Sequence, residues 1–557
     1  MQNIKPSGLW IVFLVLLLGV AAQSASVQAA EAYSSPVEST QDTIDASSVY
    51  LPIVTGDYFL SNKPAVFSMQ IAGLSDFTPS LDMTRAQIDL LRVQEYAALT
   101  EVFPTLVEAL GKSGAGSARV YVDWAYIQSV DTLTYNWEMY DSWMSQVKTA
   151  GVQIVGMISN PPAWAVDTTA FPCSNKILAE HVDEFYVFLT TLVNRYQVEP
   201  YGIHTWEILN EPDAIDGYRC TTGVSNYGEY GADYAALLQG AYQTIKAADP
   251  SAKVIMGGMA YDWFYLPYDD TVFYDGSPEG QFNRYFIDDV VIHGGAAYAD
   301  AVNFHYFQDF AAEWERWTVG DLPTCGDYTL RDPQQPTYST YGKDLVAKGS
   351  HFLNRLKTCY GVEKPLWVTE VGFHGTADPL VLEDCLGCTL DNQARYVFMI
   401  YARGLSLGAE NITWYALNII PSITPDDFQG LLYDSRDGEL ENQPKPAFYA
   451  YQTLAHELTG YQYSSTLAAP NDVEAFVFTN TLGGTKIIAW YNQTSGSVPL
   501  NLGSANKVRL VYRPDANGNQ QSITFNDGDP TYDLDRAVNG QVTIALTLEP
   551  VIIQINP

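Results

Sequence analysis

Two glutamates attract attention because each follows an apolar run that a folded core would bury. Glu211 directly follows the run GIHTWEILN, within Asn210-Glu211-Pro212, and Glu370 follows PLWVT within PLWVTEVGF. A single glutamate at the end of a strand is as often a solvated loop carboxylate, but two in equivalent places are harder to explain in that way. Paired carboxyl groups are the equipment of glycosidic bond cleavage, in which one protonates the leaving oxygen and the other attacks the sugar carbon or activates water.

Motifs for other common chemistries are missing from the sequence. HExxH, GxSxG, a glycine-rich phosphate loop and a GxGxxG after the first strand are all absent. Cys385 and Cys388 form a lone CxxC, and a zinc site would need two more ligands at workable spacing. His305 and His374 could join a glutamate around a metal, but nothing in their spacing demands it. We therefore expect no metal and no cofactor.

The charge balance restricts the class of partner. Acidic residues outnumber basic ones 64 to 29, which gives a formal net charge of −35. Binding of a nucleic-acid backbone needs a basic face, and docking on an anionic membrane surface needs basic clusters, so both are disfavoured. Hydrophobic residues make up 47% of the chain, which is enough to bury a large core.

The elements that must position the glutamates alternate regularly along the chain. Eight runs rich in β-branched and aromatic residues cover 66–73, 118–124, 152–159, 202–210, 253–260, 301–307, 365–373 and 411–419. Longer helical patterns lie between them; Tyr140, Met144 and Val147, for example, mark one apolar face. Continuous apolar strands that are each followed by a helix predict a parallel sheet buried on both faces. Eight such units predict an α/β fold of the (β/α)8 TIM barrel type, with a doubly wound open sheet as the alternative.

Both ends of the chain differ from this middle part. Residues 1–30 contain a lysine, then the uncharged run from Leu9 to Ala22, then small residues, and this pattern predicts a signal peptide for export. An uncleaved anchor is the alternative. Residues 31–64 read as a linker with an N-terminal strand.

The predicted barrel occupies 65–460, and a second domain follows it. From 461 to 557 short alternating runs separated by turn residues predict a smaller C-terminal antiparallel β-sandwich. Export permits disulfides among the six cysteines. We pair Cys173 with Cys220, because the loops after the third and fourth strands are neighbours in a barrel.

Several runs resemble motifs of clan A glycoside hydrolases. WEILNEPD (206–213) is similar to the Asn-Glu-Pro signature of the clan, PLWVTEVGF (365–373) to its strand-seven nucleophile motif, and KPAFYAYQTLAHELTG (445–460) to its eighth helix. The sequence of residues 135–165 is most similar to glycoside hydrolase family 39, with family 5 second. The resemblance covers about residues 65–460 and implies a retaining glycosidase that works through a covalent glycosyl-enzyme.

This resemblance implies a role for individual residues. Glu211 matches the general acid/base and Glu370 the nucleophile, and their carboxyl groups would lie about 5–5.5 Å apart in a retaining enzyme. Asn210 matches the residue that binds the sugar 2-hydroxyl. Arg119 matches the arginine that keeps the nucleophile ionised. Trp414 on the eighth strand matches the aromatic floor beneath the reacting sugar.

One position departs from the clan pattern. Many members carry His-x-Tyr on strand six with the tyrosine touching the nucleophile, whereas here His305 is followed directly by Tyr306. Both are candidates for substrate binding, but alternation along a strand points Tyr306 away from the side that His305 faces, unless a bulge intervenes. Trp124 and Trp164 are the aromatic residues closest to strand ends and are candidates for stacking on sugar rings.

These patterns predict a secreted glycoside hydrolase, and the resemblance implies that it cleaves β-glycosidic bonds of plant or microbial oligo- and polysaccharides with retention, by a two-glutamate double displacement. A non-catalytic carbohydrate-binding protein on a barrel scaffold and a transglycosylase are the alternatives. The expected partner is a carbohydrate, with no nucleic acid and, after signal cleavage, no membrane. Xylose, glucose, mannose and arabinose all remain open as the sugar, and no oligomeric state is predicted.

Overall fold

The computed structural model of the protein describes most of the chain beyond its N-terminal part. The described residues are 66–73, 84–169, 174–215, 225–260, 282–283, 286–307, 345–377, 387–419, 428–470 and 472–557. The predicted signal peptide, the linker with its N-terminal strand, and the predicted Cys173–Cys220 pair lie outside them. Cys359 and Cys388 lie within them, and both are disulfide-bonded.

A closed barrel of eight parallel strands forms the centre of the structure. Its strands are β1 (Phe67–Gln70), β2 (Ser117–Asp123), β3 (Gln153–Ser159), β4 (Thr205–Ile208), β5 (Lys253–Met256), β6 (Val302–Phe307), β7 (Leu366–Gly372) and β8 (Ala409–Trp414). Hydrogen-bonded neighbours follow the order β5-β4-β3-β2-β1-β8-β7-β6. The two strands at the ends of that order meet through parallel bridges between Ile255 and Ala301 and between Met259 and Phe304. The predicted (β/α)8 fold is confirmed.

Helices surround the barrel and follow its strands in turn. They are α1 (Arg85–Ser113), α2 (Glu138–Thr149), α3 (Val182–Tyr196), α4 (Gly231–Ala248), α5 (Phe286–Ile292), α6 (Leu345–Tyr360), α7 (Leu390–Ser406) and α8 (Pro446–Glu457). The predicted apolar face of α2 is fully buried at Tyr140, Met144 and Val147. None of the helices in the described ranges is long and apolar enough to cross a membrane.

Three predicted strands end earlier than their apolar runs. The fourth stops at Ile208 because Leu209 takes a left-handed φ of 66°. The fifth stops at Met256, before two glycines. The eighth stops at Trp414 and resumes only as the short strand Asn418–Ile419. Each break falls at the carboxyl end of the barrel, where an apolar run goes on into a loop that carries side chains to the mouth.

A β-sandwich follows the last barrel helix. Its strands are β9 (Tyr461–Thr466), β10 (Val473–Asn480), β11 (Thr485–Tyr491), β12 (Val498–Ser504), β13 (Lys507–Tyr512), β14 (Ser522–Asn526), β15 (Gln541–Leu546) and β16 (Val551–Ile555). One antiparallel sheet has the order β9-β10-β11-β16-β13-β14, and β12 pairs with β15 in the other. The predicted antiparallel sandwich is confirmed.

The larger sheet is buried on both faces because its residues alternate between two cores. Phe476 and Trp490 join the apolar core that the barrel helices share. Ile487 and Leu510 face the other way and pack with Ile544 of the small sheet. This two-sided burial makes the sandwich a packed partner of the barrel.

Ion pairs cross the same contact between barrel and sandwich. Glu457, at the end of α8, is 5% exposed and accepts from Lys486 on β11 at 2.6 Å and from Arg509 on β13 at 3.0 Å. Arg403 on α7 is fully buried and pairs with Glu474 on β10 at 2.6 Å. Buried charges of this kind are costly to leave unpaired.

Replacing Glu457 by Gln should therefore lower the free energy of unfolding by about 3 kcal/mol, because Lys486 would keep its charge in a buried place without its carboxylate. Denaturant unfolding of the full chain measures the effect. The control is Glu108→Gln, which removes the carboxylate of the exposed pair with Lys112 and should cause no measurable loss. An equal response of the two variants would contradict the importance of the buried pair.

Candidate active site

The two sequence-predicted glutamates meet in the mouth of the barrel. Glu370 projects from β7, and Glu211 follows the end of β4. A carboxylate oxygen from each and a ring nitrogen of His305 lie within 4.8 Å of one another. The Glu370 side chain is only 6% exposed and that of Glu211 14%. The geometry thus brings together two nearly buried carboxyl groups and one imidazole.

Left-handed backbone at the end of β4 aims Glu211 into the mouth. Leu209 has a φ of 66° and Glu211 a φ of 44°, a conformation that ordinary residues adopt at a cost of about 1–3 kcal/mol each. The surrounding barrel holds this turn: the Leu209 N–H donates to the carbonyl of Ile158, and the Glu211 N–H donates to the carbonyl of Gly258. Neighbouring strands therefore fix the direction of the Glu211 side chain.

A bulge on β7 places Thr369 beside Glu370 in the barrel interior. Asn303 pairs with Trp367 and His305 pairs with Glu370, so β7 advances three residues while β6 advances two. The extra residue lets Thr369 and Glu370, which are consecutive, both point inward. Thr369 and Glu370 each contact His305.

Arg119 on β2 uses all five of its N–H donors inside the barrel. Two of them form a fork with Glu207, at 2.8 and 3.0 Å. The others donate to Gln70 at 2.8 Å, to Glu370 at 2.5 Å and to Asn210 at 2.7 Å. Although burial alone would lower it, the two carboxylates raise the pKa of Arg119 above its usual value. A permanent positive charge therefore sits against Glu370.

Glu207 was missed by the sequence reasoning. It lies on β4, four residues before Glu211, and is fully buried. Besides Arg119 it accepts from the amide of Asn303 at 3.1 Å and the hydroxyl of Thr369 at 3.0 Å. A carboxylate inside an apolar run is buried on folding, and a buried charge is strongly destabilising unless a cation pairs with it. That rule could have paired Glu207 with Arg119, which also lies inside an apolar run.

His305 on β6 links the two catalytic candidates. Its Nδ1 lies 2.9 Å from an oxygen of Glu211 and 3.5 Å from one of Glu370. Its carbonyl accepts from the buried ammonium group of Lys348 on α6 at 2.7 Å. Burial lowers the pKa of His305 to about 4; Arg119 and Lys348 act in the same direction, and they outweigh the opposing carboxylates. The imidazole is therefore neutral near physiological pH.

Burial is also the main influence on the pKa of Glu370. It raises the pKa of Glu370 to about 7, and the like charge of Glu211 adds to the effect, whereas His305 and Arg119 act in the opposite direction. Because two carboxyl groups share this space, the value describes the pair. The pair holds one proton below about pH 7, while Arg119 favours the ionised form of Glu370. The same three groups have the spacing of a small cation site, but Arg119 already supplies the positive charge at Glu370.

Three predicted binding residues lie away from this cluster. Tyr306 is fully buried beside Arg403 of α7, because β6 has no bulge and alternation turns the tyrosine outward. Trp414 is also fully buried and packs against Tyr396 of α7. Trp124 is 1% exposed and stacks on Phe188 of α3. None of these side chains presents a surface to the mouth, which corrects the roles expected for them.

Two other aromatic residues follow the carboxyl ends of β3 and β8. Trp164, after β3, is half-buried, and its indole donates to the carbonyl of Gln128 at 3.0 Å. Tyr415 follows Trp414, and its ring contacts that of Phe307 at 5.8 Å between centroids. Phe307 shares the inward face of β6 with His305, so Tyr415 lies over the inside of the barrel.

The dependence of both carboxylates on one guanidinium can be measured. Arg119→Met should lower the free energy of unfolding by about 3–5 kcal/mol, because Glu207 and Glu370 would share a buried space with no cation. Adding Glu207→Gln to that variant should recover part of the loss. Denaturant unfolding of the two single variants and the double variant gives the coupling. If the double variant lost the sum of the two single-variant decreases in the free energy of unfolding, the result would contradict the pairing of Glu207 with the charge of Arg119.

Comparison with known proteins finds similarity in structure alone, since no protein-family profile and no curated sequence matches the chain. A family 39 glycoside hydrolase from the gut symbiont Bacteroides cellulosilyticus WH2 has 17% identity and a TM-score of 0.54, over 89% of this chain and 82% of that one. The catalytic domain of GH30 xylanase C from Talaromyces cellulolyticus has 14% identity and a TM-score of 0.52, over 89% and 97%.

A monomeric beta-xylosidase from Caulobacter crescentus CB15 is a third similar structure. It has 14% identity and a TM-score of 0.51, over 89% of this chain and 97% of that one. The similarity spans barrel and sandwich in each case. The chain therefore has the fold of these glycoside hydrolases.

Proposed function

We propose that this protein is an exported glycoside hydrolase that cleaves β-glycosidic bonds with retention of configuration. One observation carries the proposal: Glu211 and Glu370 face each other within 4.8 Å in the barrel mouth, with different partners. Arg119 binds Glu370, and His305 binds Glu211. Retaining enzymes hold their carboxyl groups about 5–5.5 Å apart, whereas inverting enzymes leave about 6.5–9.5 Å for a water molecule.

The first chemical step uses the two carboxyl groups in opposite states. Glu370, ionised beside Arg119, attacks the anomeric carbon and forms a glycosyl ester. Glu211 gives its proton to the glycosidic oxygen, which leaves as an alcohol. Asn210 is held by its oxygen to Arg119, so its amide nitrogen can donate to the sugar 2-hydroxyl.

The second step reverses the role of Glu211. Its carboxylate takes a proton from water, and the resulting hydroxide attacks the anomeric carbon and releases Glu370 as a carboxylate. Two inversions return the original configuration. We assign the aromatic surface of the site to Tyr415, Phe307 and Trp164, because Trp414 and Trp124 lie in the core.

Substrate class and location complete the proposal. Two similar structures are described as a xylanase and a beta-xylosidase, so aryl β-xylosides are the first substrates to test, followed by glucosides, mannosides and arabinosides. Residues 1–30 would direct export, residues 65–460 would form the catalytic barrel, and residues 461–557 would support it.

Variants of the two glutamates test the assignment. Glu370→Gln should nearly abolish turnover of every substrate, because no glycosyl ester could form. Glu211→Ala should reduce turnover most for substrates with poor leaving groups, since an activated aryl leaving group needs little protonation. Hydrolysis of an aryl panel by both variants measures this. Equal losses on all leaving groups would contradict the two roles, and sugar binding without turnover by the wild type would indicate a carbohydrate-binding protein.

The stereochemical outcome gives a second test. Proton NMR of the first-formed sugar should show the β-anomer from a β-glycoside, because two displacements occur at the anomeric carbon. An initial α-anomer would exclude the covalent intermediate. Transfer of the sugar to added alcohol in preference to water would indicate a transglycosylase.

The pH profile follows from the pKa of about 7 at Glu370. Below that value the pair keeps the proton that the leaving group needs; above it both carboxyls are ionised. The value of kcat/KM should therefore fall as pH rises through about 7 and fall again in acid, where Glu370 takes up a proton. In Glu211→Gln the basic limb should flatten on an activated aryl substrate, because no acid is needed there. An unchanged basic limb would show that Glu211 is not the acid.

A further inference from the structure

The hydroxyl of Thr369 lies among three polar groups beneath the catalytic pair. Its Oγ1 is 3.0 Å from an oxygen of Glu207, 2.7 Å from the amide nitrogen of Asn303 and 3.2 Å from Nε2 of His305. Thr369 and Asn303 are fully buried, as are Glu207 and His305. The single hydroxyl hydrogen can therefore go to only one partner.

That hydrogen belongs to Glu207. The Glu207 carboxylate accepts a fork of two hydrogen bonds from Arg119, and a carboxylate in such an ion pair can only accept. Asn303 is fixed in the opposite sense: its oxygen accepts the backbone N–H of Thr369 at 3.1 Å, so its nitrogen donates to the hydroxyl. The Thr369 oxygen is left with acceptor capacity alone on the side that faces His305.

His305 must consequently carry its hydrogen on Nε2. Arg119, Glu207 and Lys348 face the ring along with the two catalytic glutamates, and the balance of burial and these charges keeps the ring neutral. A neutral imidazole with a hydrogen on Nε2 has a lone pair on Nδ1. Gly258 closes the Nε2 side, since a Cβ there would lie 2.2 Å from that nitrogen.

The bare Nδ1 lies 2.9 Å from an oxygen of Glu211 and needs a donor. We infer that Glu207 and Thr369 act as positioning residues that hold His305 in the Nε2–H tautomer, so that the one proton of the carboxyl pair resides on Glu211 and is donated to Nδ1. The inference rests on the proposed function, because it explains how the catalytic acid Glu211 comes to be protonated before the sugar binds.

The arrangement also favours the second half of the reaction. After Glu211 has given its proton to the leaving group, its carboxylate faces the lone pair of Nδ1, which repels it. Taking a proton from water restores the hydrogen bond to Nδ1. No proton moves through Thr369 or Glu207 at any stage, and His305 keeps the same hydrogen throughout.

The tautomer can be measured without substrate. In the full chain labelled with 15N-histidine, ring nitrogen shifts distinguish the two neutral tautomers and the imidazolium; His305 is assigned among the seven histidines by its loss in His305→Gln. The wild type should show Nε2–H, and Thr369→Ser should match it. Thr369→Val, which lacks the acceptor, should show a fraction of Nδ1–H. Thr413→Val removes a buried hydroxyl on β8 that bonds Asn411 and should leave the His305 signals unchanged.

Kinetics then tests the consequence for Glu211. In Thr369→Val the basic limb of kcat/KM should move to lower pH by about one unit, the size of one lost hydrogen bond. The loss of kcat should be largest for poor leaving groups, and Thr369→Ser should restore both. Nδ1–H or imidazolium in the wild type would overturn the inference even if the enzyme is active. The Nε2–H tautomer in a protein that turns over no glycoside would overturn the proposed function and leave the tautomer assignment standing.

Discussion

A single buried guanidinium serves two carboxylates, and the site depends on that division. Arg119 gives two donors to Glu207 and one to Glu370. Were Glu370 its only partner, the arginine would hold that carboxylate firmly ionised and make it a weak nucleophile. In the structure, burial raises the pKa of Glu370 to about 7 and the like charge of Glu211 adds to the effect, so His305 and Arg119 offset the rise only in part.

The barrel must be irregular at three places to hold this arrangement. The left-handed residues after β4, the bulge on β7 and the glycine at 258 each remove a regular feature of a strand, and each brings a polar side chain to the centre. Regular strands alternate, so they could not place Thr369 and Glu370 on the same side. These irregular conformations are locally unfavourable. They persist because the packing and hydrogen bonding of the surrounding barrel stabilise them.

The sequence indicated the barrel, the sandwich and the carboxyl pair because their signals are local. An apolar run, a helical spacing or a glutamate at the end of a strand can each be recognised within a short stretch of sequence. Glu207 and Thr369 carried no such signal, since a polar residue inside an apolar run acquires meaning only from partners far along the chain. Trp414 shows the limit of motif matching: it is the last residue of β8 and packs outward against Tyr396 of α7, whereas the next residue, Tyr415, contacts Phe307.

The two glutamates differ in chemistry because they differ in the charge of their nearest partner. Glu370 faces a cation that can only donate, and Glu211 faces a neutral ring whose facing nitrogen can only accept. A shared proton in such a field has one favourable place, on Glu211, before any substrate binds. Exchanging the partners would exchange the roles, although the two carboxyl groups would remain equally close. The asymmetry therefore originates in β2, in β6 and in the buried pair of Glu207 and Thr369, which the sugar never touches.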